Sequence, residues 1–548
     1  MMTIARGGRQ DAAILIGLMA LMAMIAPALA EPPADRPDKK PPKPRVTISK
    51  ATTYITKPLR KDGYPDYVAH LEKLRSEGAA KDNNFVVDLM LATGATEVEE
   101  ELRPEFFRKL GVAPPEEGAG FLVAYEEFAA ANMEIEPDRD GLSDSYAIAG
   151  SRPWTADEFP LMAKWLKAHR AHLDRLAKAS EKPKYYMPGV FNEGDAPSVL
   201  MILLPDISLT RDVCRAFVVR ANFRLANKDY DAAWQDLMAA HGIGRLSGSS
   251  PFMIGALVGI ACDAIAAKGV GVFAAHADLP AEAWLKKAEE LRSLPPLPDM
   301  AKAMETERFM YLDCVCLVAR GETETLDMMR AIDGGGRPGR TATIFNTLAK
   351  NAIDWDVPLK MGNGYYDELI AAARLPHAQR VEAMRKLEER IEEAPKKITS
   401  PGHHLAELMR GKTPGAIAGK AMGHIFAALL LPALNACFTA QERGLNHADL
   451  EIAALYVAAH RAKHGQLPAT LQDLDGALGE KMPRDRVTGE PLKYRQADEG
   501  FILYAVGPNG KDDRGRNLQM DWEDEDTPDE ADDYRFEVPP PMEEPGEN

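Results

Sequence analysis

The stretch "DVCRAFVVRANFRLANKDYDAAWQDLMAAHGIGRL", residues 212–246, decides the fold. It reads as an α-hairpin. Ala221 in the first helix and Ala233 and Ala240 in the second let two helices approach. The larger Tyr230 and Leu237 then lock them together. From this hairpin the helical pattern runs outward. Residues 208–320 form a helical heart, with further helices expected at 251–275, 281–293 and 299–319. Upstream, apolar Tyr67, Val68, Leu71 and Leu74 place one face of a helix over 64–78, and "PEFFRKLGV" opens another at 104–112 with proline at its start. Thr155 followed by Glu158 reads as a capping box opening a helix over 155–180. Downstream, helices are expected at 364–374, 377–393 and 403–410. The apolar run 415–438 reads as a buried core helix kinked at Pro432.

The hairpin resembles one tetratricopeptide repeat. Tyr230, Ala233, Leu237 and Ala240 fit the Tyr-x2-Ala-x3-large-x2-Ala spacing of that repeat's second helix. Phe217 stands where the repeat has tryptophan, and Arg220 where it has leucine. A single repeat is fewer than the three such a stack needs, so the resemblance implies a hairpin within a helical array.

The chain of 548 residues suggests two or three domains, and its 45% hydrophobic and 27% charged composition is that of a globular protein. Arg6, Arg9, the apolar run 12–30 and the Ala28-Leu29-Ala30 ending read as a signal peptide cleaved at Ala30/Glu31, an uncleaved anchor being the competing reading. Six prolines among charges make 31–45 a semi-rigid spacer. Net charge is −17, of which residues 521–548 carry −12. The body is therefore nearly balanced, and no basic stripe offers itself to nucleic acid. Five scattered cysteines do not make a disulfide framework; Cys214, Cys262 and Cys437 sit among apolar residues, as buried structural thiols do.

Enzyme signatures are mostly excluded by their own chemistry. His460 and His464 are spaced like zinc-protease ligands, but Arg461 stands where the general base would be. "RGKT" (410–413) lacks the first glycine of a phosphate loop, and no Gly-x-Ser-x-Gly elbow occurs. Asp138, Asp140, Ser143 and Asp144 around Gly141 are arranged like a short calcium loop, in which alternating oxygens converge on a hard cation; a plain Asp-Gly turn is the competing reading.

Towards the C-terminus, "HADLEIAALYVAAHRAKHGQLPATLQDL" leads from a helix into "MPRDRVTGEPLKYRQADEGFILYAVGPNGKDD". Two short strands, a Gly507-Pro508-Asn509-Gly510 corner and a third strand at 532–539 make a helix-plus-sheet module. About eighty residues resemble the globular domain of the major pseudopilin of type II secretion, on Asp485, Gly489, Pro491, Tyr494, Tyr504, Gly507 and Gly510. That resemblance implies a calcium ion in the loop after the second strand. Here Asp512, Asp513, Asp521 and Asp524, with Asp526, would hold it, against a plain solvated acidic loop. With "YITKPLRKDGYPDYV" (54–68), "RPWTADEFPLMAKWLKA" (152–168), "ERFMYLD" (307–313) and this same ending, the chain over its whole length resembles a family of large predicted-secreted bacterial proteins, which implies export and architecture alone.

The expected architecture is therefore mainly α, a helical array with a tetratricopeptide-like hairpin, plus a small C-terminal α+β module of helix and three-stranded antiparallel sheet. Its parts are a signal peptide (1–30), a Pro/Lys-rich linker (31–48), an N-terminal helical segment (49–190), a central helical domain (191–445), the pseudopilin-like module (446–540) and an acidic, Pro-containing tail (541–548). The expected function is a non-catalytic interaction or scaffold protein of the periplasm or cell envelope, partnered by envelope proteins and touching membrane only through an uncleaved signal. The alternative is a metal-dependent or acid–base hydrolase acting outside the cytoplasm. A cleft joining paired carboxylates to a histidine at the helical centre would favour the hydrolase, and a long groove the scaffold.

Overall fold

The computed structural model describes residues 43–116, 120–132, 139–191, 197–199, 202, 206–322, 353–398, 409–431, 434–474, 482–497, 500–518 and 527–541. The fold is mainly helical, with one small antiparallel sheet near the C-terminus. The α-helices are α1 (Tyr67–Ser76), α2 (Phe85–Thr93), α3 (Arg103–Leu110), α4 (Tyr125–Asn132), α5 (Arg139–Ser151), α6 (Pro160–Ala168) and α7 (Arg170–Ala179). The heart is α8 (Asp206–Ala226), α9 (Tyr230–Gly248), α10 (Met253–His276), α11 (Ala281–Arg292) and α12 (Met300–Arg320). Then come α13 (Asp356–Ala373), α14 (His377–Ile398), α15 (Pro414–Leu430) and α16 (Leu434–His464), followed by β1 (Lys493–Ala497), β2 (Gly500–Ala505) and β3 (Tyr534–Val538) in the order β1-β2-β3.

The α8–α9 hairpin forms as its sequence demands. Asp229 caps α9 by accepting from Ala232 N, and Lys228 takes a positive φ of 61° to make the turn. Val218, Ala221 and Leu225 pack with Ala233, Trp234 and Leu237 in one buried cluster. The arginine that replaces an expected leucine has its own reason. Arg220 reaches across the hairpin and grips Asp236 through two nitrogens, at 3.0 and 2.6 Å. A planar guanidinium fork suits such a buried bidentate pair.

The axle of the molecule is α10, which packs on α8, α9, α12, α16 and β3. Glycines make this possible. A Cβ on Gly259 would lie 2.5 Å from Gly248 Cα and 2.6 Å from Gly244 O, so α9 and α10 cross backbone to backbone. Further along, Gly271 lets the β3 strand lie against the same helix. α10 is also the one described helix long and apolar enough to cross a membrane, and 78% of its most apolar window is buried inside the protein.

Two expectations differ from the outcome. The helix expected over 155–180 is α6 and α7, broken at His169. Pro160, which has no N–H to bond backwards, starts α6, and Thr155 serves a turn through its carbonyl rather than as a cap. Of the run 415–438, α15 carries the part up to Leu430 and α16 the part from Leu434, Pro432 lying outside the described residues; residue 446, where a separate module was expected to begin, lies inside the 31-residue α16. Leu450, Ala453, Ala454 and Val457 of that helix share one core with the hairpin and with Phe501, Leu503 and Phe536 of the sheet. Most of the helix expected at 403–410, the glycine-rich 333–340 and most of the spacer lie outside the described residues.

Gly259→Ala should lower stability by about 1–3 kcal/mol, because the methyl has nowhere to go. Gly364→Ala, on α13 with nothing within 4 Å of the added carbon, should leave stability unchanged or raise it by up to about 1 kcal/mol. Urea unfolding midpoints of the two variants compare the signs directly.

Candidate functional site

The α9–α10 crossing brings together residues that stand far apart in the chain. His241 on α9 is wholly buried, with Nδ1 2.8 Å from Asp263 Oδ1 on α10 and Nε2 2.9 Å from Glu451 Oε1 on α16. Arg245, one turn on from His241, donates from Nε to the same Asp263 oxygen at 2.8 Å. Both imidazole nitrogens thus face carboxylate oxygens, and only the imidazolium has a proton for each. Burial opposes that charge, but Glu451 and Asp263 outweigh it and raise His241 to a pKa of about 10. Burial alone would raise Asp263; His241 and Arg245 outweigh it and hold this carboxyl below its ordinary value. Glu451 is pushed up, burial prevailing over its attraction to His241. The set holds two cations and two anions and is close to neutral.

His447, one turn before Glu451 on α16, shows the opposite balance. Burial first, and Arg443 second, depress it to about 4, so it stays neutral. Elsewhere in the core, Glu307 and Asp313 of α12 are each raised to about 7 by burial, while accepting from Met253 N at 3.1 Å and Val199 N at 2.7 Å.

A groove of about 1030 Å³ runs along the other side of the hairpin. Its charged lining includes Asp174, Lys178, Arg220, Arg224, Asp236 and Arg245, and its apolar lining Trp234, Met238, Leu246 and Leu294. Asp236 is 1% exposed and receives Arg220 and Arg224 together; Arg220 also reaches the half-exposed Asp174 at 2.7 Å. The groove meets the buried set through Arg245 alone, since His241, Asp263 and Glu451 do not line it. Paired carboxylates with a histidine therefore do exist at the helical centre, but sealed rather than in a cleft. An imidazolium holding two carboxylates, with no open face, has no free lone pair to serve as a base.

Of the residues singled out for calcium, Asp140, Asp144, Asp512 and Asp513 are described. Asp138 lies outside the described residues, and Asp140 and Asp144 stand on α5, a helix where a bend at Gly141 was expected. The oxygens of a calcium loop need that bend, and a helix does not supply it. At the C-terminal corner, Asp521, Asp524 and Asp526 lie outside the described residues. Asp512 turns to Lys493 Nζ at 3.1 Å, and Asp513 accepts from Asn509 Nδ2 at 2.8 Å. The corner is held by a carboxylate that sequence reading passed over. Asp533, fully buried, accepts from Gly507 N, Asp513 N and Gly515 N at 3.3, 3.0 and 2.8 Å. Asp485, one of the residues of the pseudopilin resemblance, likewise accepts from Val487 N, Thr488 N and Val506 N. The corner then docks on the helical body: His377 of α14 lies 3.2 Å from Pro508 O and 2.8 Å from Glu442 Oε2 of α16. Among the described residues no three His, Cys, Asp or Glu side chains are grouped to hold a metal ion. All five cysteines are buried, and none is in a disulfide.

Two signals could have pointed to the central set. Asp263 is the sole acid in the apolar stretch of α10, and Glu451 interrupts the apolar "LEIAALYV" of α16. A lone charge on a face that is otherwise apolar needs a partner. Comparison with known proteins adds nothing to this geometry: no family model, curated protein or solved structure matches the chain.

The pH dependence of His241 follows from its raised pKa. The stabilisation is fully present below the unfolded value of about 6.5 and is lost as pH rises through about 10. Thermal melts of the wild-type protein should therefore fall in midpoint between pH 7 and 10. His241→Ala should cost about 3–5 kcal/mol at pH 7, as removal of one partner of a buried charge pair does, and should flatten that slope.

Proposed function

We propose that this chain is an exported, non-catalytic interaction protein of the periplasm or cell envelope. In this reading the groove beside the α8–α9 hairpin receives an extended polypeptide segment of a partner. The observation that carries it is the groove's lining, in which Arg220, Arg224 and Asp236 bring charges of both signs beside apolar Trp234, Met238 and Leu294. Charges of both signs flanking apolar anchor points suit a polypeptide better than a polyanion such as nucleic acid. His241, the residue best placed for acid–base work, is committed to joining three helices. The sequence resemblance to exported proteins supports the location.

Gln235, exposed on the groove wall, is the site to test. With a photo-crosslinking side chain at 235, a discrete adduct should form in the native envelope, and Lys178→Glu should weaken it. If 235 gives no adduct while a control position on α14 does, the groove is not the docking surface. Turnover of ester or peptide substrates that survives in the wild type and disappears in His241→Ala would favour the hydrolase instead.

A further inference from the structure

The last turn of α16 carries a second arrangement with chemistry of its own. His460 and His464 are one helical turn apart, with ring centroids 4.4 Å from each other and planes tilted by 35°. They differ from the other histidines of the core. His241 and His377 each spend both nitrogens on protein oxygens, whereas neither His460 nor His464 has a hydrogen-bond partner among the described residues. His460 is partly exposed and His464 exposed. Arg461, between them, does not cover the rings, because it turns back to donate to Ala274 O at 2.7 Å, at the C-terminal end of α10. Asp473, in the short helical stretch that follows, accepts from Thr470 N at 2.8 Å.

Two imidazoles at i and i+4 lie on one face of a helix, where their nitrogens can reach a common ion at about 2.0–2.1 Å after small side-chain rotations. A neutral imidazole keeps a lone pair to give to a metal ion. We propose that His460 and His464 form a two-histidine site for a borderline divalent ion of the Cu²⁺ or Zn²⁺ class, with water completing the coordination. Imidazole ligands without thiolate select this class, and the divalent order of affinity places Cu²⁺ above Zn²⁺. The site lies where the chain leaves α16 for the sheet. Gly465 ends the helix at φ 75°, and Pro468 O, three residues on, accepts from Tyr494 Oη and Gln496 Nε2 of β1, each at 3.0 Å. A bound ion would thus tie down the last turn at the root of the C-terminal sheet.

The test uses the full-length chain. Calorimetric titration with Zn²⁺, and with Cu²⁺ followed by electron paramagnetic resonance, should show one dominant site, coupling to two nitrogens and tighter binding of copper. His460→Ala and His464→Ala should each weaken that site by about tenfold or more, as loss of a metal-shell partner does. His464→Asp, which keeps a ligand atom, should recover part of the loss. Because both positions lie at an exposed helix end, circular dichroism should show the variants folded. The proposal is overturned if the wild type takes up neither ion, or if the double variant binds either one as tightly as the wild type.

Discussion

A buried imidazolium between two carboxylates holds this protein's three central helices in one alignment. His241 belongs to the hairpin, Asp263 to the apolar axle and Glu451 to the long C-terminal helix, so a single side chain bonds elements separated by 210 residues of sequence. Hydrophobic packing along these helices is broad and tolerant of small slides. Charge pairing is not, because a slide of one turn would leave a carboxylate buried without a partner. The set therefore acts as a register mark, and Arg245 completes its neutrality from the groove side.

That arrangement needs close helices, and close helices need glycine. The Gly244–Gly259 approach removes the side chains that would hold α9 and α10 apart, so that short contacts from His241 and Arg245 reach Asp263. The same economy of side chains at Gly271 lets the sheet lie on α10. The C-terminal sheet is consequently part of the central core, joined by α16, by the shared cluster around Leu450 and Phe536, and by His377 beneath the Pro508 corner. In the corner itself, Asp485 and Asp533 gather backbone amides, which is work that a cation and a carboxylate could have shared differently.

How much of this was legible depended on the range of each interaction. Helices whose apolar faces repeat at the helical period, and the alternation of "GFILYA", could be read directly, and so could the hairpin, down to the odd arginine at 220. The start at Pro160, where a capping box was expected, could not be read, and neither could the break at His169, whose ring Nδ1 lies 2.9 Å from Trp165 O. Nor could the pairing of His241 with Glu451, since local sequence carries no record of which distant charge a buried histidine will meet. The lone acid in α10 signalled that such a partner existed without saying which. Aspartates close in sequence at 512 and 513 invited a common ion, yet alternate side chains diverged to Lys493 and Asn509.

The most direct test of this account is the protonation state of one ring. In protein labelled with ¹⁵N at histidine, long-range proton–nitrogen spectra at pH 8 should show His241, assigned by comparison with His241→Ala, with both nitrogens protonated. At that pH an ordinary histidine is neutral. A His241 that titrates near its unfolded value, or that is neutral at pH 8, would contradict the charged clamp from which the rest of the architecture has been derived.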